Sequence, residues 1–200
     1  MKKISRSVFF AMAIFCLLST GVFAQPEDSN MTNAKSQDHM KHGSMMIDHK
    51  DHEFITKVAQ GGMTEVELGQ LALKQASSED VKQFAQRMVD DHSKAGDELK
   101  GLAASKGVTL PADVGKQNKS KIDKLAKLYG ADFDREYMKH MVKAHNMTVE
   151  VFEKEVKSGK DAETKAWAEK TLPTVREHQT MARDIANKVG TMKDMPKPTN

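Results

Sequence analysis

Apolar residues recur every three or four positions over four long stretches of this chain, which is the period of an amphipathic α-helix. The predicted helices cover about 51–76, 78–105, 131–157 and 161–189, and a shorter helix is expected around 117–128. No stretch alternates apolar and polar residues as a half-buried strand would. The pattern therefore predicts an all-α fold.

Connection lengths suggest how these helices assemble. Short connections join the first long helix to the second and the third to the fourth, so each pair is expected to be antiparallel. The simplest arrangement is a ferritin-like, up-down-up-down four-helix bundle over 51–190, with a short extra helix between helices two and three. Both tight turns would then lie at one end. Gly61 and Gly62 indicate either a close helix approach or a local distortion, and a flexible C-terminus is expected over 191–200.

The chain begins with the features of a secretory signal peptide, which we expect to span residues 1–24. A basic start precedes an apolar run from Val8 to Leu18, and a small-residue cleavage site ends at Ala24. The run is too short to cross a bilayer, and no second long apolar stretch follows it. A periplasmic protein without a transmembrane segment in its mature chain is expected. Cys16 lacks the small residues that lipid attachment requires before it, so a lipoprotein is disfavoured.

Removal of this signal changes the charge balance. The whole chain has 31 Lys+Arg and 28 Asp+Glu, and Lys2, Lys3 and Arg6 lie in the signal, so 31 − 3 leaves 28 against 28. The mature protein is then near neutral with interspersed charges, which gives no indication of nucleic-acid binding. Loss of the single cysteine excludes disulfides and thiol catalysis. The expected partners are a metal ion and either a second copy of the chain or another envelope protein.

Four polar residues occupy inward-facing positions that a bundle normally gives to apolar residues. One lies on each long helix: Glu65, His92, His145 and His178. Counted from the tight turns, their depths are roughly 18, 21, 21 and 28 Å at about 1.5 Å per residue. A buried carboxylate and three imidazoles are unfavourable unless they bond to each other or to a metal. These four residues are the principal candidate metal ligands.

The composition of this set determines which metal chemistry it favours. Histidine-rich sites suit zinc, copper or nickel better than hard cations, and the ion expected here is copper, zinc or iron. A ferritin-like di-iron centre needs a Glu-x-x-His pair on each of two helices, and none of the histidines has a glutamate three residues before it. A classical di-iron oxidase is therefore disfavoured.

Alternatives to this assignment stay open. Glu67 is the rival of Glu65, because helix phase is predicted only to within a residue or so. Asp91, Met88 and Met141 lie close enough in sequence to contribute. The imidazoles could also bond to Glu65, Tyr137 or backbone groups as a polar network that fixes helix register without any metal.

A second candidate site lies at the junction of a polar segment, residues 25–50, with the first helix. The segment has little to bury and is expected to be a disordered tail. Imidazole and thioether groups are concentrated here: His39, Met40, His42, Met45, Met46, His49 and His52. Such ligands select soft or borderline ions such as copper. The alternative is an ordinary linker in a methionine-rich chain.

The chain resembles a bacterial envelope family known as domain of unknown function 4142. The resemblance covers about 51–190 and includes GGMTEVELGQLALKQASSEDVKQFAQRMVDDHSKAGDEL and FDREYMKHMVKAHNMTVEVFEKEVKSGKDAETKAWAEKTLPTVREHQTMA. The motifs that carry it are Glu65, Asp91-His92, His145 and Leu172-Pro173 with His178. It implies a ferritin-like bundle, and members are often labelled outer membrane proteins. The resemblance implies no activity.

The expected function is metal binding in the envelope, under metal or oxidative stress, through the core residues and the tail. One alternative is a metal-free structural or interaction protein whose core histidines form a polar network. Another is an enzyme whose histidine-ligated metal performs redox chemistry, although no catalytic residue is assigned. An open coordination position beside a solvent-reachable pocket would favour the enzyme.

Overall fold

The computed structural model describes residues 47–191, which form five α-helices and no strand. The long helices are α1 (His49–Gln75), α2 (Glu79–Ser105), α4 (Gly130–Ser158) and α5 (Ala162–Lys188). The short helix α3 (Gly115–Leu125) lies between α2 and α4 in the chain. The predicted all-α four-helix bundle with a short extra helix is confirmed. Within the described range, no helix combines the length and the apolar character needed to cross a membrane.

Ion pairs show that α2 and α5 run in opposite directions. Asp80, near the start of α2, pairs with Lys188 at the end of α5 at 2.7 Å. Glu98, near the end of α2, pairs with Lys170 in the first half of α5 at 2.9 Å. Exposed pairs of this kind contribute little stability, but they fix the relative direction of the two helices.

The turn between α1 and α2 is capped by a buried carboxylate from α4. Asp134 is 2% exposed and accepts hydrogen bonds from the backbone N–H groups of Ser77 and Ser78 at 3.2 and 2.9 Å. It also accepts one from the Ser77 hydroxyl at 2.6 Å. Ser78 is the N-cap residue of α2, and the capping carboxylate comes from another helix.

The turn between α4 and α5 is capped in the same way from α1. Asp51 is fully buried and accepts hydrogen bonds from the backbone N–H groups of Lys160 and Asp161 at 3.0 and 2.8 Å. The start of α1 therefore lies at the end of α4, and the start of α4 lies at the end of α1. These two helices are antiparallel.

The order of helix directions is consequently up-down-down-up, which corrects the predicted up-down-up-down order. Because α2 and α4 run in the same direction, the connection that contains α3 carries the chain from one end of the bundle to the other. A single crossover of this kind is typical of ferritin-like bundles. The two tight turns lie at opposite ends, whereas the prediction placed them at the same end.

The core consists of two apolar clusters, one toward each end. The first surrounds the start of α4 and the α1–α2 turn and includes Leu68, Phe84, Met88, Phe133, Tyr137 and Met141. The second lies toward the opposite end and includes Phe54, Ile55, Leu99, Phe152, Trp167 and Val175. On every long helix, the candidate ligand falls between residues of the two clusters. The polar residues therefore form a layer inside an otherwise apolar core.

Helices α1 and α2 approach each other closely at Gly69. A Cβ atom there would lie 2.8 Å from Val89 Cγ2 and 2.9 Å from the Ala85 carbonyl oxygen. The close approach suggested for Gly61 and Gly62 is not found, since a Cβ on Gly61 would meet nothing within 4 Å and one on Gly62 would lie 4.0 Å from an atom of His92.

These glycines give opposite predictions. Gly69→Ala should lower the free energy of unfolding by about 2 kcal/mol, because the added methyl meets backbone that cannot rotate away. Gly61→Ala should raise it by roughly 0.5–1 kcal/mol, since alanine loses less backbone entropy in a helix. Urea denaturation of both variants measures the difference. Equal stabilities would contradict the close approach at Gly69.

A buried carboxyl group at the α4–α5 end should make stability depend on pH. Burial, together with a hydrogen bond and the charge of Asp51, raises the pKa of Glu155 to about 7. The folded protein thus holds a proton that the unfolded chain releases near pH 4.5. Stability from this group is therefore present below pH 4.5 and falls as the pH rises to about 7.

The variant Glu155→Gln keeps the shape of this side chain and removes its titration. We expect the free energy of unfolding of the parent to fall relative to the variant between pH 5 and pH 8. Urea denaturation at the two pH values tests this expectation. Parallel pH profiles for the two proteins would show that Glu155 does not retain its proton on folding.

Candidate metal centre

One polar residue from each long helix reaches the same level of the bundle. Measured from the end that holds the α1–α2 turn, Glu65 and His178 lie about 10 residues inside their helices. His92 and His145 lie about 13 and 15 residues inside theirs, so all four depths are roughly 15–23 Å at 1.5 Å per residue. The sequence placed His178 about a turn away from the others. The corrected direction of α4 and α5 removes that offset.

The three histidines form a compact cluster. One ring nitrogen from each of His92, His145 and His178 lies within 4.8 Å of the other two. The ring centroids are 5.4 to 6.0 Å apart. Nitrogen ligands of a tetrahedral zinc ion lie roughly 3.4 Å apart, given Zn–N distances near 2.1 Å. Small side-chain shifts would therefore bring the three rings onto one ion.

The carboxylate of Glu65 faces two of these rings. Its oxygens lie 2.7 Å from His92 Nε2 and 3.7 Å from His145 Nδ1. Burial alone would raise the pKa of Glu65, but the imidazoles, His92 foremost, outweigh burial and hold the pKa well below its usual range. Burial likewise opposes the charged form of His92, but Glu65 outweighs it and raises the pKa of that ring. Glu67 is exposed, so Glu65 is the inward-facing residue of the two.

In two of the histidines, one ring nitrogen donates a hydrogen bond that fixes the orientation of the ring. His178 Nε2 donates a hydrogen bond to Asp91 Oδ2 at 2.8 Å, and His145 Nδ1 donates to the Met141 carbonyl oxygen at 3.0 Å. Histidines that bind metals show the same arrangement, with one nitrogen on the metal and the other N–H on a carboxylate or carbonyl. The sequence identified Asp91 and Met141 as neighbours but gave no indication of these roles.

The remaining ring nitrogens lack hydrogen-bond partners. His145 Nε2 and His178 Nδ1 are buried with no partner in the described part of the chain. His92 Nε2 differs from them, because a Glu65 carboxylate oxygen lies 2.7 Å away. Burial and the neighbouring imidazoles lower the pKa of His178 to about 4, against the influence of Asp91. At neutral pH this ring is therefore uncharged, with a free lone pair directed into the protein.

A large cleft makes the cluster reachable. Its volume is about 1080 Å³, and residues of all four long helices line it, with Glu65, His92 and His178 in its wall. Of the three histidines, His92 is the most open, with 13% of its side chain exposed, against 1% for His145 and 2% for His178. An ion that enters from the cleft would therefore meet His92 first.

The predicted tail site is only partly described. His49 and His52 lie in the first turn of α1 and are exposed. At 13 residues from Glu65, His52 is about 20 Å from the level of the histidine cluster. The other residues of that prediction lie outside the described range: His39, Met40, His42, Met45 and Met46.

Three further residues from the sequence analysis have clear positions. Met88 and Met141 are buried in the apolar core, and the described contact of Met141 with the cluster is through its carbonyl oxygen. The Tyr137 hydroxyl is buried without a hydrogen-bond partner, so it does not serve the histidines as the polar-network interpretation allowed. Burial and the charge of Glu65 raise the pKa of Tyr137, so its phenol remains neutral.

These features define a ferritin-like four-helix bundle with a histidine cluster inside its core. The chain belongs to the family described as a domain of unknown function (DUF4142), which matches residues 34–185. The family assignment made from sequence is thus confirmed. No curated protein matches the chain.

A solved structure supports the fold. The chain is similar to the crystal structure of a DUF305 fragment from Deinococcus radiodurans, with a TM-score of 0.63 and 11% sequence identity. The similarity covers 71% of this chain and 98% of the fragment. At this identity the comparison concerns the fold alone.

Proposed function

We propose that the protein is exported to the periplasm and binds one transition metal ion through Glu65, His92, His145 and His178. The observation that carries this proposal is the compact cluster of three core histidines, in which His145 Nε2 and His178 Nδ1 have no partner and His92 Nε2 faces the Glu65 carboxylate. Buried polar atoms in folded proteins are nearly always satisfied. A single bound cation would satisfy both unpartnered nitrogens.

The donor set favours a borderline ion. Three imidazoles and one carboxylate match Cu²⁺ or Zn²⁺, and Fe²⁺ is the less favoured third possibility. The orienting contacts of His145 and His178 support the same interpretation, because each occupies one ring nitrogen and leaves the other, which has no partner, available as a ligand. The cleft beside the cluster supports reversible loading from solvent, which suits metal buffering in the envelope.

Export is the second part of the proposal and rests on the sequence of residues 1–24. A basic start, an apolar run and a small-residue site match a cleavable signal. Release of the protein by osmotic shock, with Gln25 as its first residue, would support export. Retention with the cytosolic fraction would contradict it.

Metal titration with matched histidine variants tests the core site. The metal-free protein is titrated with Cu²⁺ and with Zn²⁺ by calorimetry, alongside His145→Ala, His178→Ala and His140→Ala. His140 lies on α4 like His145 but outside the cluster, so its variant controls for loss of a histidine. We expect the parent and His140→Ala to bind one more ion than the two cluster variants. Circular dichroism verifies that each variant is folded.

A metal-free polar network is the second candidate, favoured by the 2.7 Å contact between Glu65 and His92. In that case all four proteins would bind the same number of ions, contributed by the tail alone. Glu65→Gln would then still destabilise the metal-free bundle, since it removes the negative charge that pairs with His92. Equal stoichiometry in every variant would overturn the proposed core metal site.

A further inference from the structure

We infer that the cleft beside the histidine cluster is a binding chamber for a small organic carboxylate with an apolar body, whose carboxylate coordinates the core metal ion. This inference rests on the proposed function, because it requires a metal ion in the core. It goes beyond that function, since it assigns the ion an external ligand and the cleft a chemical class of occupant.

The candidate ligands leave one side of a bound ion facing the cleft. Glu65, His92 and His178 lie in the cleft wall, whereas His145 does not line it. His178 is 1% exposed, and its Nδ1 has no hydrogen-bond partner among the described residues. An ion held by these four side chains has His145 behind it and open volume in front. Since zinc accepts a fifth ligand in some sites, this side is open to a donor atom in the cleft.

The cleft extends from the cluster mainly toward the α4–α5 turn. It reaches Val58 on α1, seven residues before Glu65, and Trp167 on α5, eleven residues before His178. At about 1.5 Å per residue these distances are roughly 10 and 16 Å along the helix axes. The volume of about 1080 Å³ lies close to the upper end of the range for small-molecule sites. The space is therefore that of a small organic molecule, and it is far larger than a hydrated ion needs.

The wall beyond the cluster is mainly apolar and partly aromatic. Phe152 and Trp167 lie there with ring centroids 5.7 Å apart. They belong to the same apolar cluster as Leu99 and Val175, against which Val58 packs, and all five residues line the cleft. Transfer of an apolar body from water to such a wall is favourable, and an aromatic body gains further from ring contacts. The chemistry of the wall thus favours an apolar molecule.

Glycines on two helices keep this space open. Gly61 and Gly62 on α1 and Gly96 on α2 line the cleft, although glycine destabilises a helix relative to alanine. A Cβ atom would meet nothing within 4 Å at Gly61 or Gly96, and at Gly62 its nearest neighbour would be His92 Nδ1 at 4.0 Å. Close helix packing accounts for Gly69 but for none of these three. What they provide is free volume beside the cluster.

The charge of the loaded site favours an anion. Metal-bound imidazoles are neutral, so a divalent ion bound by the Glu65 carboxylate retains one positive charge. Asp91, the other carboxylate beside the histidines, is paired with Arg87 at 2.8 Å and does not cancel this charge. A carboxylate from the cleft would neutralise the site, and carboxylate oxygen is an accepted ligand of zinc. The metal therefore selects the polar end of the molecule, and the wall selects its body.

Trp167 and the metal report separately on the two parts of this inference. Trp167 is the single tryptophan of the chain and lines the cleft, so a molecule in the chamber should change its fluorescence. The zinc-loaded protein is titrated with phenylbutyrate and decanoate, and with phenylbutyramide, which lacks the negative charge. The visible absorption of the Cu²⁺-loaded protein then shows whether the carboxylate coordinates the ion.

Gly96→Leu and Gly101→Leu form a matched pair of variants. Both replace a glycine of α2 with a residue that favours a helix, but Gly101 is exposed and does not line the cleft. We expect Gly96→Leu to weaken binding of phenylbutyrate by at least about tenfold, because its side chain occupies the chamber. Gly101→Leu should bind like the parent. Removal of zinc should weaken binding of phenylbutyrate more than that of phenylbutyramide, and phenylbutyrate should shift the Cu²⁺ absorption of the parent.

Failure of both carboxylates to bind the zinc-loaded parent would overturn the inference, as would equal affinities in Gly96→Leu and Gly101→Leu. Binding that leaves the Cu²⁺ absorption unchanged would also overturn it, since the carboxylate would then not be on the metal. The proposed function is checked separately through His145, which does not line the cleft. If the parent and His145→Ala retain the same amounts of Zn²⁺ and Cu²⁺, the core metal site is absent and the proposed function itself fails.

Discussion

Replacement of Asp134 with alanine is expected to lower the free energy of unfolding by about 3 kcal/mol. The carboxylate accepts three hydrogen bonds from Ser77 and Ser78 and is almost completely buried. Its removal leaves backbone N–H groups at the α1–α2 turn without a partner, and hydrogen bonds to charged groups contribute about 1.5–3 kcal/mol each. Urea denaturation followed by circular dichroism measures the loss.

Asp132 provides the matched control for this prediction. It lies on the same helix, and its carboxylate pairs with Arg135 at the surface, so Asp132→Ala should change stability by less than about 1 kcal/mol. Asp134→Asn should fall between the two alanine variants, because the amide oxygen still accepts hydrogen bonds. If Asp134→Ala is as stable as Asp132→Ala, the contact between the two helical hairpins does not stabilise the turn.

Asp91→Asn is expected to weaken binding of Cu²⁺ or Zn²⁺ to the core by about 10–100-fold. The pKa of Asp91 is lowered because hydrogen bonds from Arg87 and His178 outweigh its partial burial. The ionised carboxylate accepts from His178 Nε2, which leaves Nδ1 free for the metal. An asparagine can present its amide N–H₂ to the ring instead, so the His178 tautomer is no longer fixed.

Asp90→Asn is the control, because Asp90 is the exposed neighbour and its carboxylate accepts a hydrogen bond from Gln86 on the same helix. Nitrogen NMR of the His178 ring adds a measurement that does not depend on metal. The parent and Asp90→Asn should show the proton on Nε2, whereas Asp91→Asn should show a mixture of tautomers. An unchanged tautomer and an unchanged affinity in Asp91→Asn would exclude a positioning role for this carboxylate.

The helices could be predicted from sequence, but their directions could not. The three- and four-residue period of apolar positions reports where a helix lies and which face is buried. It contains no information on direction, and the connection from Lys106 to Tyr129 is long enough either to return at one end or to cross the bundle. The contacts that settle the direction, made by Asp51 and Asp134, join residues far apart in the chain.

The candidate site, like the fold, could be predicted from the sequence only in part. Glu65 and the three histidines were identifiable because each interrupts an apolar stripe, and the bundle brings them together. The contact of Asp91 with His178 could not be identified from the sequence, since Asp91 is itself partly exposed and its partner lies on a different helix. A polar residue on a stripe indicates that something must satisfy it, but only tertiary structure shows which group does so.

The reciprocal caps at the two turns have a consequence for how the bundle folds. The hairpin of α1 and α2 cannot satisfy its own turn without Asp134, and the hairpin of α4 and α5 cannot satisfy its own without Asp51. The candidate ligands are divided in the same manner, two from each hairpin. The halves are therefore interdependent, and the whole bundle is the cooperative unit. Any ion held at their interface would be bound only by the assembled protein and would stabilise it by an amount that grows with the logarithm of the ion concentration divided by Kd.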